Sequence, residues 1–166
     1  MARRVGVVAF AFGVPRTISA NRRIANIMKE YSLRYGAPAY TQPDVMLLDS
    51  RIEVEYIDEK PGNPSPTLRI ARGAVQWARR REISTLLVVA ARPHLSRCLR
   101  DLDYARRELG YGWLTIDVCV ELHIVSENEW FCPESTQKRT QTREAWERRE
   151  RIIRLMPMWL YKLVAS

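Results

Sequence analysis

Cysteine, histidine and glycine are all scarce in this chain, at three, two and seven residues among 166. Cys98, Cys119 and Cys132 are too few and too widely spaced for a disulfide framework, and no CxxC spacing offers a zinc site. They read as buried, reduced thiols. The glycine signatures of common nucleotide and acyl chemistries are missing as well. No G-x-G-x-x-G follows the first apolar run, and neither G-x-x-x-x-G-K-[ST] nor G-x-S-x-G occurs. Those absences set aside the usual dinucleotide fingerprint, the phosphate-loop NTPases and the hydrolase elbow. Histidines and carboxylates do not cluster at a metal-ligand spacing, so no metal is expected and no cofactor is specified. No stretch approaches the roughly 20 apolar residues of a membrane span. The basic start of "MARRVGVVAFAFG" leads into an apolar run that is short, ends at Gly13-Val14-Pro15 and reads as a first strand rather than a signal peptide. A cytoplasmic location is the expectation. There is no internal repeat and no low-complexity tract.

Acid is the scarcer charge. The 19 Asp and Glu against 27 Lys and Arg leave a formal charge of +8, which favours phosphates, nucleic acid or an anionic surface as partners. Hydrophobic residues make up 46% of the chain, enough to bury one core at this length. The expected organisation is a single α/β domain over 1–166, with a core about 5–125 and a charged helix about 135–164.

"VGVVAFAF" (5–12) and "TLLVVAA" (85–91) are apolar on both alternating faces, as central parallel strands are. The first is followed by a helix opening at Ser19 that places Ile24, Ile27, Met28, Tyr31 and Tyr35 on one face and stops at Gly36. Short extended runs are expected at "DVMLL" and at "IEVEYI", the second alternating as an edge strand does. After an irregular "DEKPGNPSP", Ser65 and Pro66 open a helix with Leu68, Ala71, Val75 and Ala78 on one stripe and Arg69, Arg72, Gln76 and Arg79 on another. A helix from Arg92, the strand-like "WLTIDVCVEL" and the C-terminal helix complete the series. Strands alternating with helices predict a three-layer, Rossmann-like α/β fold with a mostly parallel sheet, in which 5–12 and 85–90 are adjacent.

In such a sheet ligands bind beyond the carboxyl ends of the strands, where helix N-termini offer unpaired N–H groups. The loops at Gly13 to Ser19, Pro61 to Thr67 and Arg92 to His94 converge there. Arg16, Arg92 and Arg97 would hold an anion, Thr67 would donate a hydroxyl, and Gly13 and Asn21 would shape and orient the site. His94, in the first turn of its helix, is the catalytic candidate, since the dipole favours a neutral ring. Asp101 and Asp103 are expected to pair with Arg97 and Arg107 on a solvated face.

"NPSPTLRIARGAVQWARR" followed by "LLVVAARPHLSRCLRDL" resembles the bacterial SanA/YdcF/ElyC-like family over about residues 5 to 110. Thr67, Ala71, His94 and Arg97 stand at that family's motif positions. The family's helix-opening Asn falls on Ile70, an acidic neighbour falls on Arg69, and its Ser-Gly-Gly turn is absent. The resemblance implies a Rossmann-like domain and a phosphate-bearing or nucleotide-like ligand at the same edge.

The function expected is binding of a phosphorylated or nucleotide-like anionic small molecule, with His94 available for catalysis. The alternative is a nucleic-acid-binding or assembly module using the Arg-rich helices, against which Glu144, Glu147 and Glu150 interrupt the basic run. The apolar "LMPMWLYKLVA" packs on the domain, forms a homodimer contact or lies at an interface.

Overall fold

The structure is a computed structural model, describing residues 4–63 and 65–165. Five parallel strands form one sheet in the order β3-β2-β1-β4-β5. They are β1 (Val5–Ala9), β2 (Ala39–Thr41), β3 (Val54–Tyr56), β4 (Thr85–Val89) and β5 (Thr115–Val118). The two longest apolar runs are indeed central neighbours, in register from Val5 opposite Thr85 to Ala9 opposite Val89.

Chain direction places the helices. From β1 through α1 (Ser19–Tyr35) to β2 the chain steps one way across the sheet. From β3 through α2 (Thr67–Arg80) to β4, and on through α3 (Arg92–Glu108) to β5, it steps the other way. Right-handed crossovers therefore put α1 on one face and α2 and α3, which pack on each other, on the opposite face. The result is a three-layer, Rossmann-like α/β fold. Burial follows the sequence stripes: Ile24, Ile27, Met28 and Tyr31 of α1 and Leu68, Ala71, Val75 and Ala78 of α2 are buried, whereas Tyr35 is exposed. All three cysteines are buried free thiols.

Four expectations change. The first strand ends at Ala9; Phe10 N–H still donates to the Val89 carbonyl at 2.9 Å, and the chain then leaves the sheet. "DVMLL" is not a strand; β2 lies earlier, and Asp44 is buried because its carboxylate accepts the Gly62 N–H at 3.1 Å. "WLTIDVCVEL" pairs only over Thr115–Val118, then tightens into a 3₁₀ turn at Val120–His123. The C-terminal helix about 135–164 is instead a 3₁₀ turn (Lys138–Thr140), α4 (Arg143–Leu155) and α5 (Met158–Ala165). Pro157 separates the two helices, because a helix-interior proline lacks the N–H donor and crowds the preceding turn.

Candidate functional site

Strand order reverses between β1 and β4, so their carboxyl ends open onto the crevice where this class of sheet binds ligands. The loop leaving β1 is fixed from beneath by Asn21. Its Oδ1 accepts the Phe12 N–H at 2.9 Å, and its Nδ2 donates to the Gly13 and Pro15 carbonyls at 3.0 and 3.2 Å. Asn21 is thus spent on the loop, and its expected contact with a ligand is replaced by a positioning role. Gly13 has φ +90°, and a Cβ there would come within 2.7 Å of both Ser135 Oγ and Thr140 Oγ1. That close approach docks the loop on the C-terminal segment, where Val14 N–H donates to Ser135 Oγ at 3.3 Å and Thr136 N–H to the Val14 carbonyl at 2.9 Å. The same segment carries Arg139 to the crevice.

α3 begins where β4 ends, which accounts for the abrupt passage from apolar strand to Arg92, Pro93 and His94. Its third residue, His94, is 5% exposed and enclosed by Phe10, Phe12 and Trp146, the last with ring centroids 5.3 Å apart. Nδ1 lies 3.1 Å from Arg97 Nη2. Since a guanidinium only donates, Nδ1 accepts and the ring proton sits on Nε2. Burial first, then the charges of Arg97, Arg139 and Arg149, hold the His94 pKa well below its ordinary value. The neutral ring expected from the helix start is present, but its basic nitrogen is occupied by Arg97, so it offers an Nε2–H donor rather than a free base.

α4 closes the crevice from above. Thr142 caps it by accepting the Ala145 N–H at 3.3 Å, and Trp146, Glu150 and Ile153 form its buried stripe. Trp146 Nε1–H donates to the Pro93 carbonyl at 3.1 Å, while the Arg97 guanidinium stands over the indole at 5.1 Å. Arg97 Nη1 lies 2.8 Å from Glu150 Oε1. This pairing corrects the expected one with Asp101, which is fully buried and engages Arg100 and Tyr161 instead. Asp103 does pair with Arg107, and with Arg106.

The crevice has a small inner chamber of about 40 Å³, whose walls include Gly13, Thr67, His94, Arg97 and Arg139. It also has an outer cleft of about 420 Å³ that shares Ser65, Thr67, Arg97 and Arg139 and adds Arg149 and an apolar wall from α4 and α5. Three guanidinium groups therefore face one another across this space with Glu150 as the nearby buried carboxylate. Burial and mutual repulsion weaken the hold of two of them on their protons. Arg139 is pushed down to about 10, by desolvation first and then by Arg149 and Arg97. Arg149, although exposed overall, is also shifted down, by desolvation and then by Arg97.

The structure thus brings together Gly13, Thr67, His94 and Arg97. Arg16 and Arg92 do not line the cleft: both are exposed, and Arg16 reaches Met46 Sδ at 3.7 Å. Arg139, Arg149 and Glu150 join the site without a sequence motif to mark them. Glu150 alone is hinted at by pattern, because it falls four residues after Trp146 and three before Ile153 on the apolar stripe of an otherwise charged helix. Of the arginine stripe on α2, Arg72 pairs with Glu108 and Arg69 donates to the Asp58 carbonyl at 3.4 Å, while the neighbouring Arg80 and Arg81 pair with Glu55 and Glu53. Among the described residues no three His, Cys, Asp or Glu side chains gather as a metal-binding set. No protein-family model matches the chain, and no curated protein matches it.

Proposed function

We propose that the chain binds a phosphate-bearing small molecule, nucleotide-like in its charge, in the cleft at the carboxyl ends of β1 and β4. The observation that carries this reading is the convergence of Arg97, Arg139 and Arg149 on one cleft whose described lining holds no Asp or Glu. Partly desolvated cations in mutual repulsion are relieved by a dianion, and guanidinium forks match phosphate oxygens in geometry. Ser65 and Thr67 bring hydroxyls to the same wall at the start of α2, whose first N–H groups are a ready anion site. In the inner chamber His94 Nε2–H serves as a further donor. The SanA/YdcF/ElyC-like resemblance supports the reading, since Thr67 of α2 shares one cleft with His94 and Arg97 of α3. A cytoplasmic location belongs to the same proposal and is supported by the three unpaired thiols.

Thermal unfolding with added inorganic phosphate, compared with chloride at equal ionic strength, tests the reading. Phosphate should raise the melting temperature, because a ligand bound by the native state alone stabilises it by mass action. Arg139→Gln should lose most of that rise, whereas Arg16→Gln and Arg92→Gln should keep it. Equal responses to phosphate and chloride, or a rise unaffected by Arg139→Gln, would overturn the proposal.

A further inference from the structure

α5 is held to the domain by one face. Tyr161 Oη–H donates to Asp101 Oδ2 at 2.5 Å, the Arg100 guanidinium stands 4.2 Å over the Tyr161 ring, and Tyr161 and Ala165 pack with Leu68 and Ile153. The other face has no such cover. Leu155, Trp159 and Leu163 succeed one another at intervals of four residues and are 67 to 81% exposed. Scattered exposed apolar residues are ordinary, but a run of large ones marks an interaction surface.

Charge selects the partner. Residues 148–165 contain Arg148, Arg149, Arg151, Arg154 and Lys162, and their one carboxylate, Glu150, is buried against Arg97. Arg148, Arg151 and Arg154 are exposed, while the carboxylate of Glu147, the residue before Arg148, pairs with Arg143. A second copy meeting this face symmetrically would set these cations against their own kind around the apolar strip. An anionic bilayer surface offers the complement: phosphates for the arginines and an acyl boundary for the leucines, with Trp159 suited to the region between. At 13 and eight residues, broken at Pro157, α4 and α5 are shaped to lie on such a surface, and no helix among the described residues is long and apolar enough to cross a membrane. We infer that the α4–α5 corner, through Leu155, Trp159, Leu163 and the flanking arginines, docks the protein peripherally on an anionic lipid surface.

Co-sedimentation of the full chain with vesicles of phosphatidylcholine alone, or mixed with phosphatidylglycerol, tests the inference. Binding should be at least about tenfold tighter to the anionic vesicles, should weaken as salt is raised, and should shift tryptophan emission to the blue. Trp159→Ser with Leu163→Ser should weaken it about tenfold while leaving the melting temperature in place, because both side chains are exposed. Arg148→Glu with Arg151→Glu should abolish the preference for anionic lipid, and this pair carries the test if the serine variant fails to fold. Equal binding to both vesicles, no binding to either, or a lipid-indifferent dimer in light scattering that the serine variant dissolves would overturn the inference.

Discussion

Arg97 Nη1 and Glu150 Oε1 lie 2.8 Å apart, on side chains that are 8% and 5% exposed. Neither oxygen of Glu150 has an aligned hydrogen-bond donor among the described residues, so the contact is an ion pair held by charge rather than by a directed bond. Glu150 also sits beside Arg139 and Arg149, whose charges it offsets. Glu150→Gln would leave three guanidinium groups without that carboxylate. Loss of one member of a buried pair costs about 3 to 5 kcal/mol, and the urea midpoint should fall accordingly. Phosphate should recover more stability in this variant than in the wild type, because an anion takes over the missing charge. An unfolding free energy unchanged to within about 0.5 kcal/mol would show that the pair contributes nothing to the fold.

Gly6 lies in the central strand beneath the α2 layer. A Cβ on it would come within 2.7 Å of Ile83 Cδ1 and 2.8 Å of Trp77 Cη2, and both side chains are fully buried. Gly6→Ala is expected to cost about 1 to 3 kcal/mol by overpacking. Gly112→Ala, where a Cβ would meet nothing within 4 Å, should stay within about 0.5 kcal/mol of wild type. Chemical denaturation of both variants checks the contrast.

Asn21 makes its prediction through the loop that it braces. Its amide satisfies the Phe12 N–H and the Gly13 carbonyl inside the protein, so Asn21→Ala leaves both without that partner. A loss of about 1 to 3 kcal/mol is expected, along with a smaller phosphate response, since the displaced loop forms part of the inner chamber wall. A full phosphate response in a destabilised Asn21→Ala protein would separate the loop from the site.

How far the sequence discloses the molecule depends on what each signal measures. β1 and β4 are legible because strands covered on both faces are apolar throughout, and their pairing follows from their shared central character. β2 is not, because a strand of three residues is too short to show a period, and its place is set by pairing on both sides. His94 and Arg97 are legible because strand-to-helix junctions fall at the ligand-binding edge. Arg139, Arg149 and Glu150 come to that edge only because the segment after residue 130 folds back over it. A helix rich in both charges reads as a solvated face, and only the Trp146, Glu150 and Ile153 stripe betrays the buried carboxylate.

His94 gives the clearest pH dependence. In the native protein burial and three neighbouring arginines keep the ring neutral, with its pKa well below the ordinary value. In the unfolded chain it titrates near 6.5. Above that pH both states carry a neutral ring and the group adds no pH dependence. As pH falls through about 6.5 the unfolded chain takes up a proton that the native state refuses, so the folded state loses stability. Between pH 6.5 and 5.5 the wild type should lose about 1 kcal/mol more than His94→Gln, whose amide oxygen can still accept from Arg97. Asp101 acts in the opposite sense, because burial raises its pKa and its favourable contribution fades as pH rises from the ordinary carboxyl range. It is common to both proteins and drops out of the comparison. Urea unfolding at the two pH values reads the difference directly. Parallel losses in the two proteins would mean that the His94 ring can take up a proton within the fold, and Nδ1 would then no longer accept from Arg97.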